Sequence, residues 1–181
     1  SSYGGQTANS EFEFLTGSSM AFLPGGSVAY QYQVKDTMGS LATTMEGQGY
    51  QGNMVLHPYL SNGYNREKVY PLLGFKDYLS IGDFQNPEVC RSFITDQEDF
   101  NKITSEYEKA KQKSSAPFFM FNVTIQNHGG YEKDYSNFNQ EIKITDTSSN
   151  PSANRYLSLI KKTDDAFKNL ISYFKKVKEP T

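Results

Sequence analysis

Hydrophobic positions along the chain switch between two periods, and the switches mark alternating helices and strands. Residues 7–17 start with a hydroxyl, carry carboxylates in the first turns and close on Gly17, which predicts a short helix with Thr7 at or near its N-cap. Residues 18–36 read as a Gly- and Ser-rich connector turning at Pro24-Gly25-Gly26, and 40–46 as a second short helix ending before Gly47. A strand is predicted over 53–57, a helix over 65–73 closed by Gly74, and a further short strand over 79–84. Thr95-Asp96-Gln97-Glu98 has capping-box spacing, and Phe100, Ile103 and Tyr107 follow at helical intervals, predicting a helix over 96–113. The run 117–124 is almost continuously apolar, which predicts an interior strand covered on both faces, as in a parallel sheet. The last helix, opened by Ser149-Asn150-Pro151, places Tyr156, Ile160, Phe167, Leu170, Ile171 and Phe174 on one stripe that is expected to pack on the sheet. Strand and helix alternate, so the expected class is α/β, with sites in the loops that follow strand ends.

Length and composition narrow this picture. The chain has 181 residues, enough for one domain with its own core, and 13 Phe with 13 Tyr but no Trp, so burial must rely on aromatic rings. A net charge of −2 gives no broad attraction to a nucleic-acid backbone, so no nucleic-acid partner is expected. The single cysteine, Cys90, excludes an intramolecular disulfide and a thiolate metal cluster. The longest apolar stretch, 116–121, is far too short to span a membrane. The opening Ser1-Ser2-Tyr3-Gly4-Gly5 reads as a loop entered halfway, and Lys178-Glu179-Pro180-Thr181 as a break leading to another strand, so truncation at both ends is expected.

Few residues bear obvious chemistry. Thr7 combines a hydroxyl with the positive end of a helix, where an alkoxide or an anionic substrate is stabilised, although simple capping accounts for the same residue. Both histidines follow strand-like runs: His57 fits a packed histidine as well as a ligand-binding one, whereas His128, in Gln126-Asn127-His128-Gly129-Gly130, sits in a polar loop suited to ligand contact. Arg66 can offer a guanidinium fork to a phosphate or sulfate, or be a surface residue beside Glu67. Cys90 lacks the Cys-x-Pro-x-Arg context from which sulfatases make formylglycine and reads as inert. Glu11, Glu13, Asp164 and Asp165 read as solvated or helix-dipole residues rather than metal ligands. The glycosylation sequon at Asn122 falls inside the predicted strand and reads as unused.

Three ordered motifs together are more specific. Gly5-Gln6-Thr7-Ala8-Asn9-Ser10-Glu11-Phe12, then Gly63-Tyr64-Asn65-Arg66 leading to Val69-Tyr70-Pro71-Leu72-Leu73-Gly74-Phe75, then Phe121-Asn122-Val123-Thr124-Ile125-Gln126-Asn127-His128-Gly129 resemble the lipoteichoic acid synthase branch of the sulfatase and alkaline phosphatase superfamily. The resemblance extends through Ala153-Asn154-Arg155-Tyr156-Leu157, nearly the whole chain. It implies an α/β sheet flanked by helices, truncated at both ends, with residues 1–181 forming the central part of one sulfatase-like catalytic domain. It also implies a membrane-anchored enzyme acting on the extracellular face of a bacterial membrane. Such an enzyme transfers phosphoglycerol or a similar group through a covalent intermediate on threonine, at a divalent metal, commonly manganese. By resemblance Thr7 is the nucleophile and a metal ligand, and Arg66 and His128, with Tyr64 and Asn65, lie where the family binds the phosphoglycerol group. Tyr64 stands where these synthases often carry Trp, and the acidic residue they place shortly before it has no match at Tyr59.

The same resemblance implies that the remaining metal ligands, a Glu on an earlier strand and an Asp-His pair on a later one, lie outside these residues. With Thr7 as the only ligand, the chain by itself is expected to bind manganese weakly, to be inactive, and to self-associate or cover its sheet edges with loops. A phosphoglycerol lipid or envelope glycan is the expected substrate. Sulfate ester hydrolysis and a non-catalytic glycan- or envelope-binding module are the alternatives.

Overall fold

A computed structural model describes residues 5–145 and 150–179. Ser1 to Gly4, Ser149, Pro180 and Thr181, on which parts of the terminal expectations rest, lie outside the described residues. The elements in order are α1 (Thr7–Thr16), α2 (Ala29–Tyr32), α3 (Leu41–Gly47), β1 (Gln51–Leu56), α4 (Arg66–Leu72), β2 (Asp77–Leu79), β3 (Val89–Cys90), β4 (Phe93–Ile94), α5 (Asp96–Lys113), β5 (Phe118–Asn122) and α6 (Pro151–Phe174). Strands β2, β1 and β5 form a parallel sheet in that order, while β3 and β4 make a small antiparallel hairpin.

Helices cover both faces of the sheet, and the alternation of side chains along β5 shows how. Phe119 and Phe121 point to the layer of α1 and α4, where Phe121 stacks on Phe14 and both approach Phe75. Phe118 points the other way, against Tyr107 of α5. The first layer holds the core: Ala8, Phe12 and Leu15 of α1 pack with Tyr30, Val55, Val69, Tyr70 and Leu73. Near its start β1 bulges at Gly52, whose φ is +86° and where a Cβ would meet the Phe118 ring at 2.4 Å, so only glycine fits.

Local chemistry sets the helix ends. Thr95 caps α5 by accepting the Glu98 N–H, three acids occupy its first turn, and Lys111 and Lys113 its last. Ser40 caps α3, and Gly17 closes α1 in the left-handed conformation.

Four expectations need correction. The connector over 18–36 contributes to the core: it contains α2 and a 3₁₀ turn at Met20–Phe22, and it buries Met20, Val28, Ala29, Tyr30 and Val34. It is held by Asn9, whose amide accepts from the Ala29 N–H at 3.0 Å and donates to the Ser27 carbonyl at 3.0 Å. The strand expected over 79–84 lies earlier, as β2, and Ile81–Asp83 is a 3₁₀ turn pinned by Asp83 to the Ser80 N–H. Strand β5 is an edge strand of the sheet that the described residues form. Among the described residues it pairs only with β1, so its five residues are half-buried, and a cavity of about 810 Å³ opens beside it, lined in part by Tyr107, Phe118, Met120 and Phe174. The predicted stripe of α6 is largely uncovered too: Tyr156, Ile160, Phe167 and Ile171 are 39–50% exposed, while Leu159 and Ala166 are buried. Helix α6 leans on α5 through Phe100–Phe167 and Tyr107–Phe174 ring contacts instead of lying flat on the sheet.

Candidate functional site

The C-terminal ends of β1 and β5 lie side by side, Leu56 opposite Asn122, and the loops that leave them carry the two histidines. This is the sheet edge where open α/β proteins place their sites. His57 follows β1 directly. It is buried, and its Nδ1 lies 2.6 Å from the Val123 carbonyl, so the neutral ring donates there. Burial, helped by the positive charge of Arg66, lowers its pKa to about 4, although the carbonyl bond works the other way. His57 is therefore a neutral, packed histidine, one of the two readings its sequence left open.

His128 is exposed on its loop, and its ring lies 5.5 Å from that of Phe93. Phe93 lies against Tyr59, and Tyr59 against His57, so an aromatic string joins the two histidines. Tyr59, which sequence reasoning treated only as a missing acidic residue, is the middle of that string.

Arg66 opens α4 but is not a surface residue. It is 3% exposed, and its Nη2 donates to Glu11 Oε1 at 2.5 Å, with Nε also bonded to the same carboxylate. Burial opposes the charge, yet the bonds and charge of Glu11 outweigh it and hold the guanidinium above its usual range. The expectation that Glu11 is solvated is thus wrong: it is 3% exposed, and its other oxygen accepts the Tyr70 hydroxyl at 2.9 Å. Glu13 binds the Met20 N–H and so fastens the connector. Asp164 and Asp165 are exposed as expected, Asp165 pairing with Lys161. Cys90 is buried and its thiol is pushed up by burial, consistent with an inert cysteine.

Thr7 is exposed in the first turn of α1, where the helix has no side-chain cap; the N-cap is Gln6, so Thr7 itself is not the capping residue. One turn on, Glu11 lies on the same helix face and reaches Arg66, which ties the N-terminal half of α1 to the start of α4. Just before Arg66, Tyr64 sits under its guanidinium at 5.1 Å, and Asn65 is exposed. The Glu11–Arg66 pair thus links the helix that Thr7 opens to the segment carrying Tyr64 and Asn65, while His128 lies on the loop beyond β5. The fork that Arg66 offers in the sequence is engaged by Glu11.

Among the described residues Gln6, Asn53, Tyr64, Asn65, Asn86 and Arg91 are non-glycine residues with positive φ, and of these Gln6 stands immediately before Thr7, Tyr64 and Asn65 before Arg66, and Arg91 against the His128 loop. Such conformations cost roughly 1–3 kcal/mol each and persist where surrounding contacts hold them, characteristically at functional sites.

The full length of the chain, residues 1–181, matches the family model described as Sulfatase. The chain belongs to the sulfatase family. A candidate cyclic beta-1,2-glucan modification protein of Rhizobium meliloti (strain 1021) is 35% identical over 178 residues, covering 96% of this chain and 27% of that protein. Among solved structures, the phosphoglycerol transferase GacH of Streptococcus pyogenes, in complex with sn-glycerol-1-phosphate, superposes with a TM-score of 0.72 at 26% identity over 98% of this chain and 47% of that one. The lipoteichoic acid synthase LtaP of Listeria monocytogenes superposes with a TM-score of 0.81 at 18% identity over 96% and 41%, a likeness of fold. This sulfatase-family chain thus spans less than half the length of each.

Whether these residues could hold a divalent cation is decided by their donors. Among the described residues no three His, Cys, Asp or Glu side chains converge. Glu11 is committed to Arg66 and Tyr70, and His57 Nδ1 to Val123. That leaves the Thr7 hydroxyl, and one oxygen does not fit the coordination such ions need.

Proposed function

We propose that this chain is the nucleophile- and head-group-bearing part of a phosphoglycerol transferase-like enzyme of the sulfatase family, acting on phosphodiesters of a phosphoglycerol lipid or envelope glycan. The observation that supports the reading most is the exposed Thr7 in the first turn of α1, directly after the positive-φ Gly5 and Gln6, on a helix that the Glu11–Arg66 pair ties to the segment carrying Tyr64 and Asn65.

In this reading the Thr7 Oγ attacks phosphorus, and its bond to phosphorus forms as the P–O bond to the donor alcohol breaks. The hydroxyl proton leaves with the departing alkoxide. An acceptor hydroxyl then attacks the phosphothreonine, its own proton restoring the Thr7 hydroxyl. The positive N-terminal end of α1 would face the negative charge that develops. In this reading His128 and Asn65, both exposed, meet the phosphoglycerol group, with Tyr64 against it. Arg66 supports that contact from beneath by fixing α1 to α4. A divalent cation, manganese by family resemblance, would use Thr7 together with donors beyond the described residues. The enzyme is proposed to act on the extracellular face of a bacterial membrane; no helix among the described residues is long and apolar enough to cross one. Sulfate ester hydrolysis is the weaker variant, because no formylglycine precursor is present.

In the full-length protein, Thr7→Ala is expected to abolish turnover of a phosphoglycerol donor with added manganese while leaving thermal unfolding unchanged, and Thr7→Ser to keep part of the activity. Full activity in the Ala variant would move the chemistry elsewhere.

A further inference from the structure

Arg91 lies outside the motifs that carry the resemblance. It lies in the turn of the β3–β4 hairpin with φ of 58°, and it is 6% exposed. No carboxylate among the described residues pairs with it. Its guanidinium instead gathers the carbonyls of one loop: Nη2 donates to Gln126 and His128, each at 2.7 Å, and Nη1 to Gly129 and Gly130 at 3.5 and 3.4 Å. Aromatic rings surround the charge, Phe93 and Tyr131 at 5.5 Å and Tyr135 at 6.0 Å. Asn137 holds the Arg91 backbone from outside, its Nδ2 donating to the Arg91 carbonyl at 3.1 Å.

A buried cation held by carbonyls alone has given up its hydration for partial negative charges, and its planar fork fits them in a fixed geometry. Those carbonyls belong to the stretch that carries His128, which has two glycines next to it and would otherwise be free to move. Phe93, which lies against the His128 ring, follows Arg91 by two residues and is stacked beneath the same guanidinium. Backbone and ring of His128 are therefore fixed from one hairpin.

We propose that Arg91 is a positioning residue that sets the His128 imidazole for the phosphorylated group. This rests on the reading of His128 given above, so the test has one arm that needs no activity. Arg91→Gln, Arg91→Lys, His128→Gln and the Arg91→Gln/His128→Gln double variant are made in the full-length protein. The first arm follows kcat/KM on bis(p-nitrophenyl) phosphate with added manganese. Misplacing a contact group can cost on the order of 100-fold. The Arg91→Gln loss is expected to be of that size, and the double variant to be no worse than His128→Gln alone, because Arg91 acts through His128. Arg91→Lys keeps the charge but not the fork and should fall between. Losses that multiply in the double variant, or full activity in Arg91→Gln, would overturn the proposal. The second arm follows amide hydrogen exchange over 125–131. Faster exchange there in Arg91→Gln, with exchange in β1 unchanged, is the expected result and is read without activity, whereas a harmless His128→Gln would count against the reading of the site. Unaltered protection over 125–131 overturns the proposal whatever the activity.

Discussion

At the scale of single residues, the Glu11–Arg66 pair has the largest stability consequence. Both groups are 3% exposed, and Tyr70 completes the shell. Removing one partner of a buried pair leaves a charge without compensation, at a cost of roughly 3–5 kcal/mol, whereas replacing both by apolar residues is far milder. Glu11→Gln should therefore lower stability in urea unfolding by about 3 kcal/mol or more, and the Glu11→Leu/Arg66→Met double variant should recover most of it. Two titrating residues give the chain a pH signature. Burial raises Asp99 to about 8 against the ordinary carboxylate range, with the Asn122 bond opposing it, and burial lowers His57 to about 4. The folded state thus holds a proton on Asp99 that the unfolded chain releases, and stability from this group declines as pH rises from about 4 to 8. His57 contributes the opposite slope, its stabilisation being lost as pH falls from the unfolded value, about 6.5, toward 4. The two oppose each other between about 4 and 6.5, so together they change stability little there, and the Asp99 contribution should make it fall between about 6.5 and 8 in thermal unfolding. Asp99→Asn should remove that fall. Asp96, also raised by burial, adds in the same direction as Asp99. The sequence showed Thr7, Arg66 and His128 as residues, but not the partners that bury or aim them. Glu11 and Arg66 are 55 positions apart and Arg91 and His128 are 37, and a pairing over such distances leaves no periodic trace.

Among elements, α5 matches the sequence reading at both ends, Asp96 and Lys113, because its cap and its charges are local signals. The helices α3 and α4 and the strand β1 were legible from other local signals, the Ser40 cap, the Gly74 stop and the apolar run 54–56. Helix α2 was not, since Val28, Ala29 and Tyr30 are four-residue-scale features whose burial depends on Asn9. Helix α6 shows where periodicity misleads: an apolar stripe gives the face that can be buried, but not what covers it. Leu159 is fully buried and Phe167 is 50% exposed, so their truncations should differ. Leu159→Ala is expected to cost roughly 2–5 kcal/mol, and Phe167→Ala less than about 1.5 kcal/mol, as read by chemical denaturation. Equal losses would mean that α6 is covered along its whole stripe.

For the whole molecule, the α/β class followed from the alternation of periods, and the parallel sheet from the apolarity of β5. Its place at the sheet edge did not, because apolarity on both faces reports the layers above and below a strand and is silent about its lateral neighbours. The ordered motifs named Thr7, Arg66 and His128, and the structure adds the Glu11 pair that ties Arg66 to α1 and the Arg91 clamp on the His128 loop. The central claim is that the phosphoryl group passes through Thr7. The most direct measurement is mass spectrometry of the full-length enzyme, acid-quenched during turnover of a phosphoglycerol donor and digested. A phosphoglycerol adduct on Thr7, absent in Thr7→Ala, is the predicted result; turnover with the adduct on another residue, or with none at any quench time, would contradict it.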